Sequence, residues 1–135
     1  MPAYNFKKQF AQAVESGEKR QTIRAIGKRR HAWPGERLQL YTGMRTKACR
    51  KLVTPDPVCK DVVHIVMNKF NGQRELEFGN SPCLVFLFAD GTYRNATADE
   101  QEEIAHADGF ASFDEMYEWF EQAHGMPFRG VMVRW

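Results

Sequence analysis

Cysteine is scarce in this 135-residue chain: three residues, Cys49, Cys59 and Cys83, an odd number with no Cys-x-x-Cys pair. That count argues against a disulfide framework or a structural zinc site, and it points to a reducing cytoplasm. No apolar run approaches the length of a membrane span. The charged start, Met1 to Lys8, has no signal-peptide core, so no membrane partner is expected. Phosphate-binding P-loops and dinucleotide fingerprints are missing, and His31, His64, His106 and His124 have no metal-ligand spacing. Neither a cofactor nor a metal is expected, and the four histidines read as structural or surface residues. Internal repeats and low-complexity linkers are absent too. A single domain over residues 1–135, monomeric, is the reading that remains.

Charge of one sign is missing from two long stretches in turn. Between Gly17 and Lys51 there are 11 Lys or Arg against two acids, Glu18 and Glu36. Between Asn95 and His124 there are nine acids and no Lys or Arg. A domain presenting one basic face has reason to segregate charge in this way, and binding of a polyanion follows from it. The acidic half reads as an outward helix face.

What the chain has is concentrated in Gly17-Glu-Lys-Arg-Gln-Thr-Ile-Arg24. Lys19 and Arg24 flank the Thr22 hydroxyl where a helical pattern gives way to a strand-like one, and Lys28-Arg29-Arg30 follows closely. A turn delivering cations and a hydroxyl to one place suits an anion or a nucleic acid. Thr22 and Arg24, two apart in a strand, point to the same face. The plainer alternative is a solvated basic turn. In that case Thr22 is a β-former, Lys19 a phosphate contact, and Asp108, ahead of Gly109, an ordinary turn residue.

The spacing Gly-x-Lys-x-x-Thr-x-Arg resembles the signature of the ASCH domains, a family with the PUA-like β-barrel fold. The resemblance extends upstream over Phe10 to Gly17 and downstream over Trp33 to Gly43. It includes Ala107-Asp-Gly-Phe-Ala-Ser112, which is similar to the family's acidic-Gly-Phe turn. The commoner ASCH pattern has Glu where this chain has Thr22. Thr at that position resembles the branch of small N4-acetylcytidine amidohydrolases, in which a Lys, a Thr and a Glu form the catalytic set. The resemblance therefore implies Lys19 and Thr22 as catalytic residues, with Asp108 in the place of the acid, one methylene shorter.

That set has a physical logic. A Thr hydroxyl is a weak nucleophile and needs a base beside it. A buried Lys can supply the base because desolvation disfavours its ammonium form. A carboxylate orients that Lys or carries a proton to the leaving amine.

Three function classes stay open. The first is an RNA- or nucleotide-binding module whose basic cleft is formed by Lys19, Arg20, Arg24, Lys28, Arg29, Arg30, Arg45 and Lys47. The second is an amidohydrolase on N4-acetylcytidine-type nucleosides. The third is a metal-independent ribonuclease. A carboxylate near Lys19 separates a hydrolase from a pure binder. Trp33 and Tyr41 among the cations are faces on which single-stranded nucleic acid stacks, although Trp33 before Pro34 also suits a barrel plug.

The expected fold is α+β: a mostly antiparallel barrel of five to seven strands with peripheral helices. Phe6, Phe10, Ala13 and Val14 recur at helical spacing up to Gly17. Strands are expected at Thr22 to Ala25, Leu38 to Tyr41, Val62 to Phe70 and Thr92 to Asn95, and at Val131 to Trp135. Residues 43–60 read as a long mobile loop. Asn71-Gly72 signals a hairpin into Glu75 to Phe78, and Leu84 to Phe88 a strand covered on both faces that turns at Asp90-Gly91. Thr97 with Glu100 and Ser112 with Glu115 look like capping boxes of two helices. Phe113, Met116, Tyr117, Phe120 and Ala123 form the packing stripe of the second.

Overall fold

β-Branched and aromatic segments alternate with Ala-, Glu- and Gln-rich ones along the chain. In the computed structural model, which describes residues 2–71 and 80–135, they become strands and helices of an α+β fold. The strands are β1 (Ala3–Phe6), β2 (Gln21–Ala25), β3 (Gln39–Thr42), β4 (Arg50–Lys51), β5 (Asp61–Asn71), β6 (Asn80–Leu87), β7 (Tyr93–Asn95) and β8 (Phe128–Arg134). The helices are α1 (Lys8–Ser16), α2 (Ala98–Ala107) and α3 (Phe113–His124).

Two sheets result, in the orders β1-β3-β4 and β2-β8-β5-β6-β7, antiparallel throughout except for the parallel pair β1–β3. Among the described residues these ladders do not join into the closed barrel expected from the sequence: β1 ends one sheet and β2 ends the other. β5 and β6 pair antiparallel out to Asn71↔Asn80. The Asn71-Gly72 turn and the Glu75 to Phe78 strand expected between them lie outside the described residues.

β8 is central, bonded to β2 on one side and β5 on the other. Its alternation serves two cores. Phe128 and Met132 pack with Ile23, Ile104, Phe110, Phe113, Met116 and Phe120 beneath α2 and α3. Val131, Val133 and Trp135 pack on the other face with Tyr4, Phe6, Val14, Leu38 and Leu40. Both faces are therefore dry. Gly130 allows the tight approach of β2, since a Cβ there would stand 2.5 Å from the Arg24 carbonyl oxygen and 2.6 Å from the Phe128 ring. Gly130→Ala is expected to cost about 1–3 kcal/mol by overpacking, read by urea unfolding, and to displace Arg24 with its strand.

Several expectations are corrected. Phe6 belongs to β1 and not to the first helix, which starts at Lys8. Residues 43–60 contain β4 and are tied down: the Leu38 and Cys59 amides bond the Pro57 and Glu36 carbonyls, and Leu52 is buried. The last strand starts at Phe128, ahead of Val131. β6 is covered on both faces only at Leu84, Val85 and Phe86, because Phe88 opens to solvent. Ala123 is exposed rather than packed. At Thr97 both halves of the capping box form. At Ser112 the hydroxyl accepts from the Glu115 amide, and the Glu102 carboxylate instead takes the Phe113 amide.

Candidate active site

The turn after α1 starts the site. Gly17 closes the helix in the left-handed region at φ 86°, and the Lys19 amide bonds back to the Ala13 carbonyl. This directs the Lys19 side chain inward, past the Phe10 and Phe6 rings at 5.2 and 6.0 Å, to the C-terminal end of α2. There its ammonium donates to the Asp108 carbonyl oxygen at 2.6 Å and lies 3.1 Å from Asp108 Oδ1. Lys19 is 3% and Asp108 5% exposed.

Gln21, the first residue of β2, joins them: its side-chain amide donates to the Ile104 carbonyl at 3.2 Å and to Asp108 Oδ1 at 3.3 Å. A cation at the negative end of a helix is favourable, and a carboxylate there is not. Gly109 follows Asp108 at φ 96°, and a Cβ at that position would press on Phe10 at 3.2 Å. The Asp-Gly pair therefore turns the chain toward Phe110 while leaving the carboxylate facing Lys19.

The other face of β2 carries Thr22 and Arg24. Arg24 Nε donates to Thr22 Oγ1 at 2.9 Å, and Nη2 donates to the Asn5 carbonyl of β1 at 2.7 Å. The guanidinium lies over Phe6 at 4.9 Å and Tyr4 at 5.2 Å. Arg24 thus bridges the end strands of the two sheets.

Lys19, Thr22, Arg24 and Asp108 all line one cavity of about 440 Å³, walled also by Phe10 of α1 and Trp119 of α3. Its volume lies in the range of small-ligand sites. Burial pushes Lys19 below its usual value, opposed by the Asp108 charge and hydrogen bond. Burial pushes Asp108 above the usual carboxylate range, opposed by Lys19, Gln21 and Arg24. Desolvation thus works against the charged form of each group, while their mutual attraction works for the ion pair.

The remaining sequence candidates scatter. Arg29, Arg30 and Arg45 line a second cavity of about 410 Å³, which shares Asn5, Arg24 and Ala25 with the first. Arg30 is held in a two-point pair with Glu36, at 2.8 and 3.0 Å. Its partner's carboxyl is pulled down to about 2, first by that bond and then by the Trp33 amide. Arg20 turns away, with Nε donating to the Gly17 carbonyl at 3.3 Å, and borders a separate hollow with Lys60 and Arg134. Lys28 and Lys47 are exposed and line neither cavity. Trp33 is no barrel plug: it is 65% exposed under the Arg30 guanidinium. Tyr41 lies under the Lys51 ammonium, away from the cleft.

Gln21 was not foreseen. The signal for it was its odd position in β2, on the face opposite Thr22 and Arg24. Asn5, Phe6 and Trp119 had no such signal, because nothing local brings β1 and α3 to the motif. Among the described residues no cluster of His, Cys, Asp and Glu is arranged to hold a metal. No helix is long and apolar enough to cross a membrane. No protein-family model, curated protein or solved structure matches the chain.

Proposed function

We propose that this chain is an ASCH-type amidohydrolase on a PUA-like scaffold, removing the acetyl group from N4 of a cytosine nucleoside. The buried contact of Lys19 Nζ with Asp108 Oδ1 at 3.1 Å, in a cavity that also holds Thr22, carries this reading. A hydrolase needs a carboxylate beside Lys19, whereas a pure binder does not.

In the proposed reaction Thr22 Oγ attacks the acetyl carbonyl carbon and its proton passes to the Lys19 amine. The Arg24 N–H already donated to Thr22 Oγ1 leaves the hydroxyl proton free for transfer, and the guanidinium places positive charge near the developing oxyanion. The C–N4 bond then breaks and the Lys19 ammonium returns the proton to N4, releasing cytidine. Water attacks the acetyl-Thr22 ester, giving acetate and free Thr22. Asp108 holds Lys19 in position and stabilises the ammonium that forms in between.

Incubation with N4-acetylcytidine should release cytidine and acetate, and Lys19→Ala should abolish the release. No product from the wild-type chain would overturn the proposal. The rate should rise with pH along a limb below the ordinary lysine value, as the Lys19 ammonium loses its proton to become the amine base. Asp108 raises the Lys19 value, so Asp108→Asn should move that limb to lower pH. A limb that stays put, or moves up, would remove Lys19 from the role of base.

A second reading, an RNA-binding module, is favoured by one observation: Lys28, Arg29, Arg45 and Lys47 are all exposed. On that reading affinity falls steeply with salt, and Lys28→Ala, Arg29→Ala and Arg30→Ala together weaken every sequence alike. The Glu36 pair limits what Arg30 adds to that loss.

A further inference from the structure

The second cavity extends the cleft rather than standing apart, and Arg24 and Asn5 belong to both. Its wall is cationic. Arg24, Arg29 and Arg45 line it, and no carboxylate does. Arg24 is fixed by Thr22 and Asn5, and Arg30 is neutralised by Glu36. Among the described residues neither Arg29 nor Arg45 has a side-chain hydrogen bond or ion pair, so two guanidinium forks remain open beside the cleft.

Arg45 also adopts φ 65°, the one non-glycine at positive φ among the described residues. Such a backbone costs on the order of 1 kcal/mol and persists where its surroundings hold it. Here the Met44 amide donates to the Asn5 side chain at 3.0 Å, fastening this loop to β1 at the junction of the two cavities. The Thr46 amide and hydroxyl both bond the Gly43 carbonyl and close the turn that contains Arg45, so a fixed backbone presents Arg45 to the cavity. Guanidinium forks match the oxygens of a phosphate.

We propose that the second cavity is a phosphate subsite, and that the substrate is a nucleoside 5′-monophosphate carrying an acylated cytosine, with Arg29 and Arg45 holding the phosphate. This rests on the amidohydrolase reading for the base half of the substrate. A single phosphate suits the site better than a strand, because Lys28 and Lys47, which a polymer backbone would need, lie outside both cavities.

The test is binding of the products, which needs no turnover. Cytidine, cytidine 5′-monophosphate, inorganic phosphate and an oligocytidine are titrated into the intact chain at fixed ionic strength, followed by calorimetry. The monophosphate is expected to bind at least about 10-fold tighter than cytidine, the order of two charge-assisted contacts. The Arg29→Ala/Arg45→Ala variant should bring that ratio to near one, and the Lys28→Ala/Lys47→Ala variant should keep it.

Equal binding of monophosphate and cytidine would overturn the proposal, as would a ratio untouched by loss of the two arginines. Tighter binding of the oligomer than of the monophosphate, lost in the lysine variant, would replace it with a strand track. Inorganic phosphate binding as well as the monophosphate would reduce the site to a free-anion site and overturn it too. Monophosphate binding without cytidine release from N4-acetylcytidine would leave the subsite standing and sink only the hydrolase.

Discussion

Asp108→Ala is expected to lower the stability of the folded chain by about 3–5 kcal/mol, the order seen when one partner of a buried ion pair is removed. The loss has two parts. Lys19 would be left as a charge in a site 3% open to water, with only the carbonyl of residue 108 to bond. Gln21 would lose its carboxylate acceptor as well, keeping the Ile104 carbonyl. The neighbouring Phe10 and Phe6 rings offer an ammonium little to replace a carboxylate.

Urea unfolding reads the change, and a loss under 1 kcal/mol would mean that water reaches Lys19. The Lys19→Met/Asp108→Leu double variant should regain most of the stability, since replacing both members of a buried pair by apolar groups is often neutral. That variant should be inactive. Stability restored without activity separates the pair's chemical role from its role in closing α2.

Thr22→Ala is expected to reduce kcat on N4-acetylcytidine by about 10³-fold or more, the scale on which nucleophile–base sets fail when one member is removed. Thr22→Ser keeps the hydroxyl and should retain measurable turnover. Thr22→Val keeps the shape but leaves the Arg24 Nε–H without its acceptor, so it should be inactive and less stable, by about 1–3 kcal/mol. Activity of Thr22→Ala within tenfold of the parent would transfer the nucleophile's role to water, with Lys19 as its base. Kinetics of cytidine release settle between these outcomes.

The local geometry of the candidate cleft was legible at short range. Alternation placed Thr22 and Arg24 on one face, and the glycine stop at Gly17 set the turn that carries Lys19. Asp108 came from the likeness of its Asp-Gly-Phe turn to a known one, not from any pattern that brings residue 108 to residue 19. Phe6 was misread because Phe6 and Phe10 are four apart, a helical spacing, while β1 is held by parallel pairing with β3, which leaves no local mark. The Arg30–Glu36 pair escaped because charges six apart in irregular backbone have no rule that joins them. The open ends of the two sheets among the described residues had no local signal for a similar reason: a ring depends on which edge strands meet, and here a side chain, Arg24, spans from β2 to β1.

The central place of β8 governs when the site can exist. β2 has β8 as its sheet partner, and the Trp135 amide bonds the Arg20 carbonyl at the start of the motif. A chain still being synthesised holds Lys19, Thr22 and Arg24 long before residues 128–135 have emerged to order them. The candidate cleft is thus complete only in chains whose residues 128–134 have paired between β2 and β5.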